Sequence, residues 1–91
     1  MKVRRTSTYE LRLLEIFDYV AEHDVIAAER LVNHIEDQVN RLADPKFPRR
    51  KGRVPFTYEL VAHPTYIVLL QQDDDQVIAF DILHTSQKYP R

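Results

Sequence analysis

The chain has no cysteine and no tryptophan, and among its 91 residues Gly52 is the only glycine. Without cysteine, neither disulfides nor thiolate-ligated zinc can staple the fold. With one glycine there is no glycine-rich loop of the kind that cradles phosphates. Long apolar runs are missing too, since none approaches the roughly 20 residues that span a bilayer. After the basic opening Met1-Lys2-Val3-Arg4-Arg5-Thr6, a charged Tyr9-Glu10 stretch stands where a secretion signal carries its apolar segment. These absences lead to the expectation of a cytoplasmic protein with no membrane partner. A large net charge is also lacking: at −1, the chain has none of the overall basicity of a protein that grips nucleic acid by its phosphates. Any such contact would have to come from a local patch.

What is present suits one small domain, spanning residues 1–91. Hydrophobic residues make up 44% of the chain, enough for one core of modest size. At this length folding is marginal, so a partner that binds only the folded state adds stability. The charges are segregated. From Thr8 to Asp44 acids predominate and Arg12, Arg30 and Arg41 are the only cations, whereas residues 45–55 carry Lys46, Arg49, Arg50, Lys51 and Arg53 with no acid.

Residues 2–5 suit a short first strand with Val3 inward and Lys2 and Arg4 outward. Ser7-Thr8-Tyr9-Glu10 has capping-box spacing, which predicts a helix with Ser7 as its cap. Tyr9, Leu13, Ile16, Phe17 and Val20 recur behind it at helical spacing to about Glu22. Asp24 is the expected cap of a second helix, whose stripe runs Ala28, Leu31, Val32, Ile35, Val39, Leu42. Asp37 and Arg41 stand four apart with the acid first, the favoured order, and Pro45 ends the helix. Two helices joined by so short a link must fold back as a hairpin. Leu13, Phe17, Leu31, Ile35 and Val68 are the expected core.

Residues 44–55 hold three of the five prolines and the only glycine, and they read as an ordered or semi-ordered loop. From Phe56 the period becomes that of strands. Phe56–Ala62, Tyr66–Gln72 and Gln76–His84 are β-rich runs, separated by His63-Pro64 and by an Asp73-Asp74-Asp75 hairpin turn. Tyr66-Ile67-Val68-Leu69-Leu70 is apolar on both faces, which predicts a central strand covered at least in part on both sides. The fold class is therefore α+β, in the order β-α-α-β-β-β: a helical hairpin packed on a mostly antiparallel sheet, one face of which is incompletely covered.

This order resembles the RelE/ParE toxin superfamily over nearly the whole chain. Leu14-Glu15-Ile16-Phe17-Asp18-Tyr19-Val20-Ala21 is similar to the first-helix pattern of these toxins. Ala27-Ala28-Glu29-Arg30-Leu31-Val32 resembles the opening of their second helix, and Leu42-Ala43-Asp44-Pro45 its exit. Tyr58-Glu59-Leu60, Tyr66-Ile67-Val68 and Ile82-Leu83-His84 resemble the three-strand finish. The resemblance implies the toxin of a type II toxin–antitoxin pair, associated with plasmid stabilisation and growth arrest and neutralised by a cognate antitoxin protein. It would reach operator DNA only through that antitoxin. It also implies one of two targets, DNA gyrase for the ParE branch or ribosome-bound mRNA for the nuclease RelE branch. A degenerate member that keeps only antitoxin binding is a third alternative.

The residues favour the ParE branch. A nuclease must deprotonate a 2′-hydroxyl, protonate a leaving oxygen and neutralise phosphate charge; in this chain His84, Lys88 and Tyr89 are the candidates. Two arginines frequent in the superfamily are absent, one replaced by Tyr58 and one missing from the Thr85-Ser86-Gln87 that follows His84. Arg49, Arg50, Arg53, Lys88 and Tyr89 are the candidate target-binding residues. The basic loop reads equally as a solvated connector, His84 as a strand-end residue held by a hydrogen bond, and Tyr89 as a ring packed back on the sheet. Asp81, a charge inside the last strand, must find a partner or a solvated surface. No metal or cofactor is expected: Asp73-Asp74-Asp75 lacks the glycine and distal glutamate of a calcium loop, and His23, His34, His63 and His84 are scattered.

Overall fold

The computed structural model describes residues 1–90. Its elements are β1 (Lys2–Arg5), α1 (Ser7–Ala21), α2 (Val25–Arg41), β2 (Arg50–Lys51), β3 (Tyr58–His63), β4 (Tyr66–Gln72) and β5 (Gln76–His84). The five strands form one sheet in the order β1-β5-β4-β3-β2, with β1 parallel to β5 and every other pair antiparallel. Both helices pack on one face. No described helix is long and apolar enough to cross a membrane.

The expected α+β order stands, with one addition: the basic loop contains the short strand β2, where Arg50 pairs with Glu59 and Lys51 with Tyr58. Two residues are too few for a period, so β2 exists only because β3 offers it an edge. Strand β3 starts at Tyr58 and not at Phe56. Phe56 has φ 67° and is 97% exposed, so it belongs to the loop.

Helix α1 begins one residue earlier than its capping box suggests. Thr6, in extended conformation, accepts the Tyr9 N–H at 3.2 Å. Its backbone N–H donates to Ala79 O and its hydroxyl to Phe80 O, both at 3.0 Å. One residue thus ends β1, caps α1 and fixes both to β5, a combination Ser7 cannot offer. Asp24 caps α2 as expected, accepting from Ala27 N at 3.0 Å. Asp37 and Arg41 pair at 3.1 Å. The helix ends at Arg41, and Pro45 lies in the turns beyond it.

The core lies between the helices and the sheet. Tyr9 and Leu13 from α1, Ile35 and Val39 from α2, and Leu42 at its cap meet Leu60, Val68, Leu70, Val77, Ala79 and Ile82. Burying a large aliphatic side chain contributes about 1.5–3 kcal/mol. Ile35 and Val68 are core as expected, and Leu31 packs at its margin. Phe17 is not core: it is half-buried and lines a groove on the hairpin surface.

A polar network crosses this core. The Tyr9 hydroxyl donates to Glu36 Oε1 at 2.6 Å, and Arg5 bonds Glu36 and Asn40 at 3.2 and 2.6 Å. Burial above all, and then Glu36, raise the Tyr9 phenol far above its ordinary value, so it is always a donor. Tyr9→Phe should therefore cost about 1 kcal/mol, read as a lower melting temperature with unchanged circular dichroism.

Strand β4 is central and buried along Tyr66–Leu70, as its two apolar faces require. Val68 and Leu70 face the helices, while Ile67 and Leu69 join Leu83, Phe80 and Tyr89 in a second cluster on the opposite face. A bulge separates the two halves of the β4–β5 ladder: Leu69 faces Asp81 but Leu70 faces Ala79, leaving Phe80 unpaired. The parity of β5 changes there. Ile82 lies in the helix-facing core while Phe80 lies in the outer cluster, so the side chains of Ile78, Phe80, Ile82 and His84 do not share one face.

Beyond Ala79, β5 loses β1 as a neighbour. Its outward amides are taken by nearby side chains: Ile82 N–H donates to Asp81 Oδ1 and His84 N–H to Gln87 Oε1, each at 2.8 Å. The Asp81 carboxylate also meets Arg12 of α1 at 3.1 Å, which supplies the partner its position demanded.

Candidate functional site

The candidate target-binding cations divide into two structural roles. Arg49 is half-buried and turned back on its own loop. Its guanidinium donates to Leu42 O, Asp44 O, Phe47 O and Gln72 Oε1 at 3.4, 2.6, 3.0 and 3.2 Å. Leu42 is the C-cap of α2, so Arg49 satisfies carbonyls that the helix end leaves open. Burial lowers its pKa, partly offset by Asp44.

Arg50 and Arg53 converge on one buried acid. The Glu59 side chain is 1% exposed although it lies on a strand next to the sheet edge. Its Oε1 accepts from Arg50 Nη2 at 2.9 Å and Nε at 3.2 Å; its Oε2 accepts from the Arg53 backbone N–H at 3.1 Å and Nε at 3.2 Å. A carboxylate so enclosed is tolerable only when paired and hydrogen-bonded. β2 brings Arg50 opposite Glu59, and the turn through Gly52 brings Arg53 back to it. A Cβ at Gly52 would lie 2.1 Å from the Thr57 hydroxyl and 3.0 Å from the Thr57 backbone, so any side chain there would force Thr57 to shift.

Burial alone would raise the Glu59 carboxyl, but the hydrogen bonds from Arg53 and Arg50 outweigh it and hold it below its ordinary value of 4.5. An acid depressed by folding contributes stability above its unfolded-state pKa and loses it as pH falls through the folded value. The melting temperature should thus drop as pH falls below 4.5, and a Glu59→Gln variant, though less stable at neutral pH, should show a shallower drop.

The C-terminal tail completes this region. Tyr89 packs against the outer cluster of Ile67, Leu69 and Leu83, and the Arg53 guanidinium lies 5.6 Å from the centre of its ring. Arg50, Arg53 and Tyr89 therefore form one patch on the sheet face away from the helices, with Lys88 exposed beside it. Sequence reasoning missed Glu59, the residue that gathers the patch. The signal was a lone acid in the apolar run Tyr58-Glu59-Leu60-Val61-Ala62, read only as part of a family motif. It also missed the exposed ring of Phe56.

The three nuclease candidates are split between neighbouring clefts. His84 lines one of ≈ 290 Å³ with Arg12, Glu15, Ile16, Tyr66, Ile82 and Gln87, whereas Lys88 and Tyr89 line another with Leu69 and Leu83. His84 Nδ1 accepts the Ser86 backbone N–H at 3.0 Å and is 2.6 Å from the Ser86 hydroxyl. A backbone amide only donates, so the neutral imidazole carries its proton on Nε2. Nδ1 is thus engaged locally, by the residue two positions on in the chain. The ring also meets Tyr66 edge-on at 5.5 Å. This is the hydrogen-bonded strand-end geometry.

On the opposite side, an apolar groove of ≈ 460 Å³ runs along the helical hairpin, lined by Glu10, Leu13, Leu14, Phe17 and Val32. Leu11 and Leu14 are largely exposed on the same helix. Among the described residues, no three histidine or acidic side chains converge as a metal site.

Comparison with known proteins gives this architecture its place. A solved structure, the chromosomal ParDE TA system from P. aeruginosa, superimposes with a TM-score of 0.81 at 20% identity, covering 92% of this chain and 95% of that one. That likeness is one of fold. The toxin candidate Y4kP of Sinorhizobium fredii is 30% identical over 90 residues, which is 99% of this chain and 94% of that protein. The family described as the ParE toxin of the type II toxin–antitoxin system parDE matches residues 3–89. Both helices, the basic loop, Tyr89 and every strand residue but Lys2 fall inside that span, and the chain belongs to the ParE toxin family of type II toxin–antitoxin systems.

Proposed function

We propose that this toxin acts in the cytoplasm by binding DNA gyrase, with no catalysis of its own, and that a cognate antitoxin protein neutralises it. The observation that carries the reading is the placement of the nuclease candidates, with His84 lining one cleft and Lys88 and Tyr89 the next. Charge supports it. Arg50 and Arg53 already share the Glu59 carboxylate, so their charge is partly spent within the protein. A nuclease on ribosome-bound mRNA needs several uncommitted cations for phosphate. A protein–protein contact needs a few anchors, among which Arg and Tyr are the usual ones, and Arg53, Tyr89 and Lys88 offer them.

For the antitoxin, the apolar groove along α1 and α2 fits an amphipathic helix. The acids flanking it, such as Glu10, suit a partner segment that carries Lys and Arg between its apolar residues. Operator DNA would be reached through the antitoxin.

Induction of the toxin should give filamentation and a DNA-damage response, and purified toxin should inhibit supercoiling by gyrase with mRNA left intact. His84→Ala should weaken toxicity only as far as it lowers stability. Codon-phased cleavage of mRNA on ribosomes, lost in a well-folded His84→Ala variant, would replace this reading with the endonuclease one.

A further inference from the structure

Two segments that the sequence keeps apart meet over the outer face of the sheet. The loop contributes Arg50 and Arg53, and the tail contributes Tyr89. Beyond Gln87 the tail makes no hydrogen bond among the described residues; packing and the Arg53 guanidinium hold its ring. Arg53 in turn is not free to choose its place. Its backbone amide and its Nε both donate to Glu59 Oε2, which fixes the start of the side chain and its tip together. Glu59 Oε1 meanwhile takes Arg50, so both carboxylate oxygens are occupied by loop arginines.

We infer that Glu59 is the positioning residue of the toxin's target-contact surface, holding Arg53 over the Tyr89 ring so that loop and tail present one rigid patch. The inference rests on the reading of Arg53 and Tyr89 as target contacts. The chemistry is directional. A carboxylate buried to 1% exposure has no competing water and is met by planar guanidinium forks. An arginine held by such an acid loses little further freedom on binding, so less of the contact energy is spent on ordering it. The partner chemistry follows as well. The patch presents an aromatic face, a guanidinium whose charge Glu59 offsets only in part, and the exposed Lys88. It therefore fits a protein surface bearing a carboxylate beside an apolar side chain.

The test has two arms. The first is spectroscopic and needs no target. In the parent chain the Arg53 side-chain protons should be displaced upfield by the Tyr89 ring. In Glu59→Gln that displacement should collapse to the value seen in Tyr89→Leu, with helix and strand signals unchanged. If the glutamine variant does not fold, Glu59→Asp serves in its place: it keeps a charge between the arginines but withdraws it by one methylene, and the displacement should fall there too. The second arm is inhibition of purified gyrase. Glu59→Gln and Arg53→Met should each raise the inhibitory concentration about tenfold, and the double variant no further, because one acts through the other. An unchanged Arg53 displacement in the folded Glu59 variants, or losses that multiply in the double variant, would overturn the inference. A parent chain that leaves gyrase unaffected would overturn the proposed target, while the spectroscopic arm would still decide whether Glu59 positions Arg53.

Discussion

Ile35→Ala should melt far below the parent chain, and Phe17→Ala should not. Ile35 is fully buried on α2 between the sheet and α1. Truncating it removes three carbons from a site whose neighbours are held by β-strand ladders and cannot collapse, which costs about 2–5 kcal/mol. A domain of this size has about 5–15 kcal/mol in total, and each kcal/mol shifts the melting temperature by about 4–8 °C. Phe17 is the larger residue and sits in the same apolar stripe of the sequence, yet it lines the open groove outside the core. Its truncation should cost about 1 kcal/mol or less. Thermal melts of the two variants check the packing directly. Equal losses would mean that the helical hairpin is rotated on the sheet.

The second large effect concerns the same groove and a different property. Leu14 is 61% exposed at the rim, beside Phe17 and Val32. Leu14→Glu should leave folding intact, because the new charge stays in water while the toxin is alone. Under an antitoxin helix that charge would be buried without a partner. Affinity for the antitoxin should fall about 30-fold or more, measured by titration calorimetry. Growth arrest should then persist when the antitoxin is co-expressed. Gyrase inhibition should be unchanged, since the Arg53–Tyr89 patch lies across the sheet from α1. An antitoxin that binds the Leu14→Glu toxin as tightly as the parent would show that the groove is not its seat.

The two helices, the central strand and the Asp24 cap were legible in the residues because each is a local matter: a repeat of three and four, an apolar run, an oxygen before a helix. What escaped depends on neighbours distant in the chain. β2 is two residues long and is a strand only because Tyr58 and Glu59 pair with it. The side-chain alternation of β5 is reset by a bulge that no pattern within β5 reveals. Thr6 displaces Ser7 as the helix cap because Ala79 and Phe80 hold it there. Phe17 has the spacing of a core residue, and periodicity alone cannot tell a buried stripe from the wall of a groove. The candidate site shows the same limit. Its cations were evident as a run of charge, but the distinction between Arg49, bonded to the end of α2, and Arg53, held by Glu59, exists only in three dimensions.

A toxin free of any partner meets other copies of itself, and the far end of β5 bears on that encounter. An open strand edge with unpaired amides is a template on which another chain can add, and sheets grow from such edges. Here Asp81 and Gln87 fill the outward amides of Ile82 and His84, each with an oxygen at 2.8 Å. The neighbouring edge strand β1 carries exposed Lys2 and Arg4, which repel their own kind. This end of the sheet therefore offers few places where a second copy could extend it.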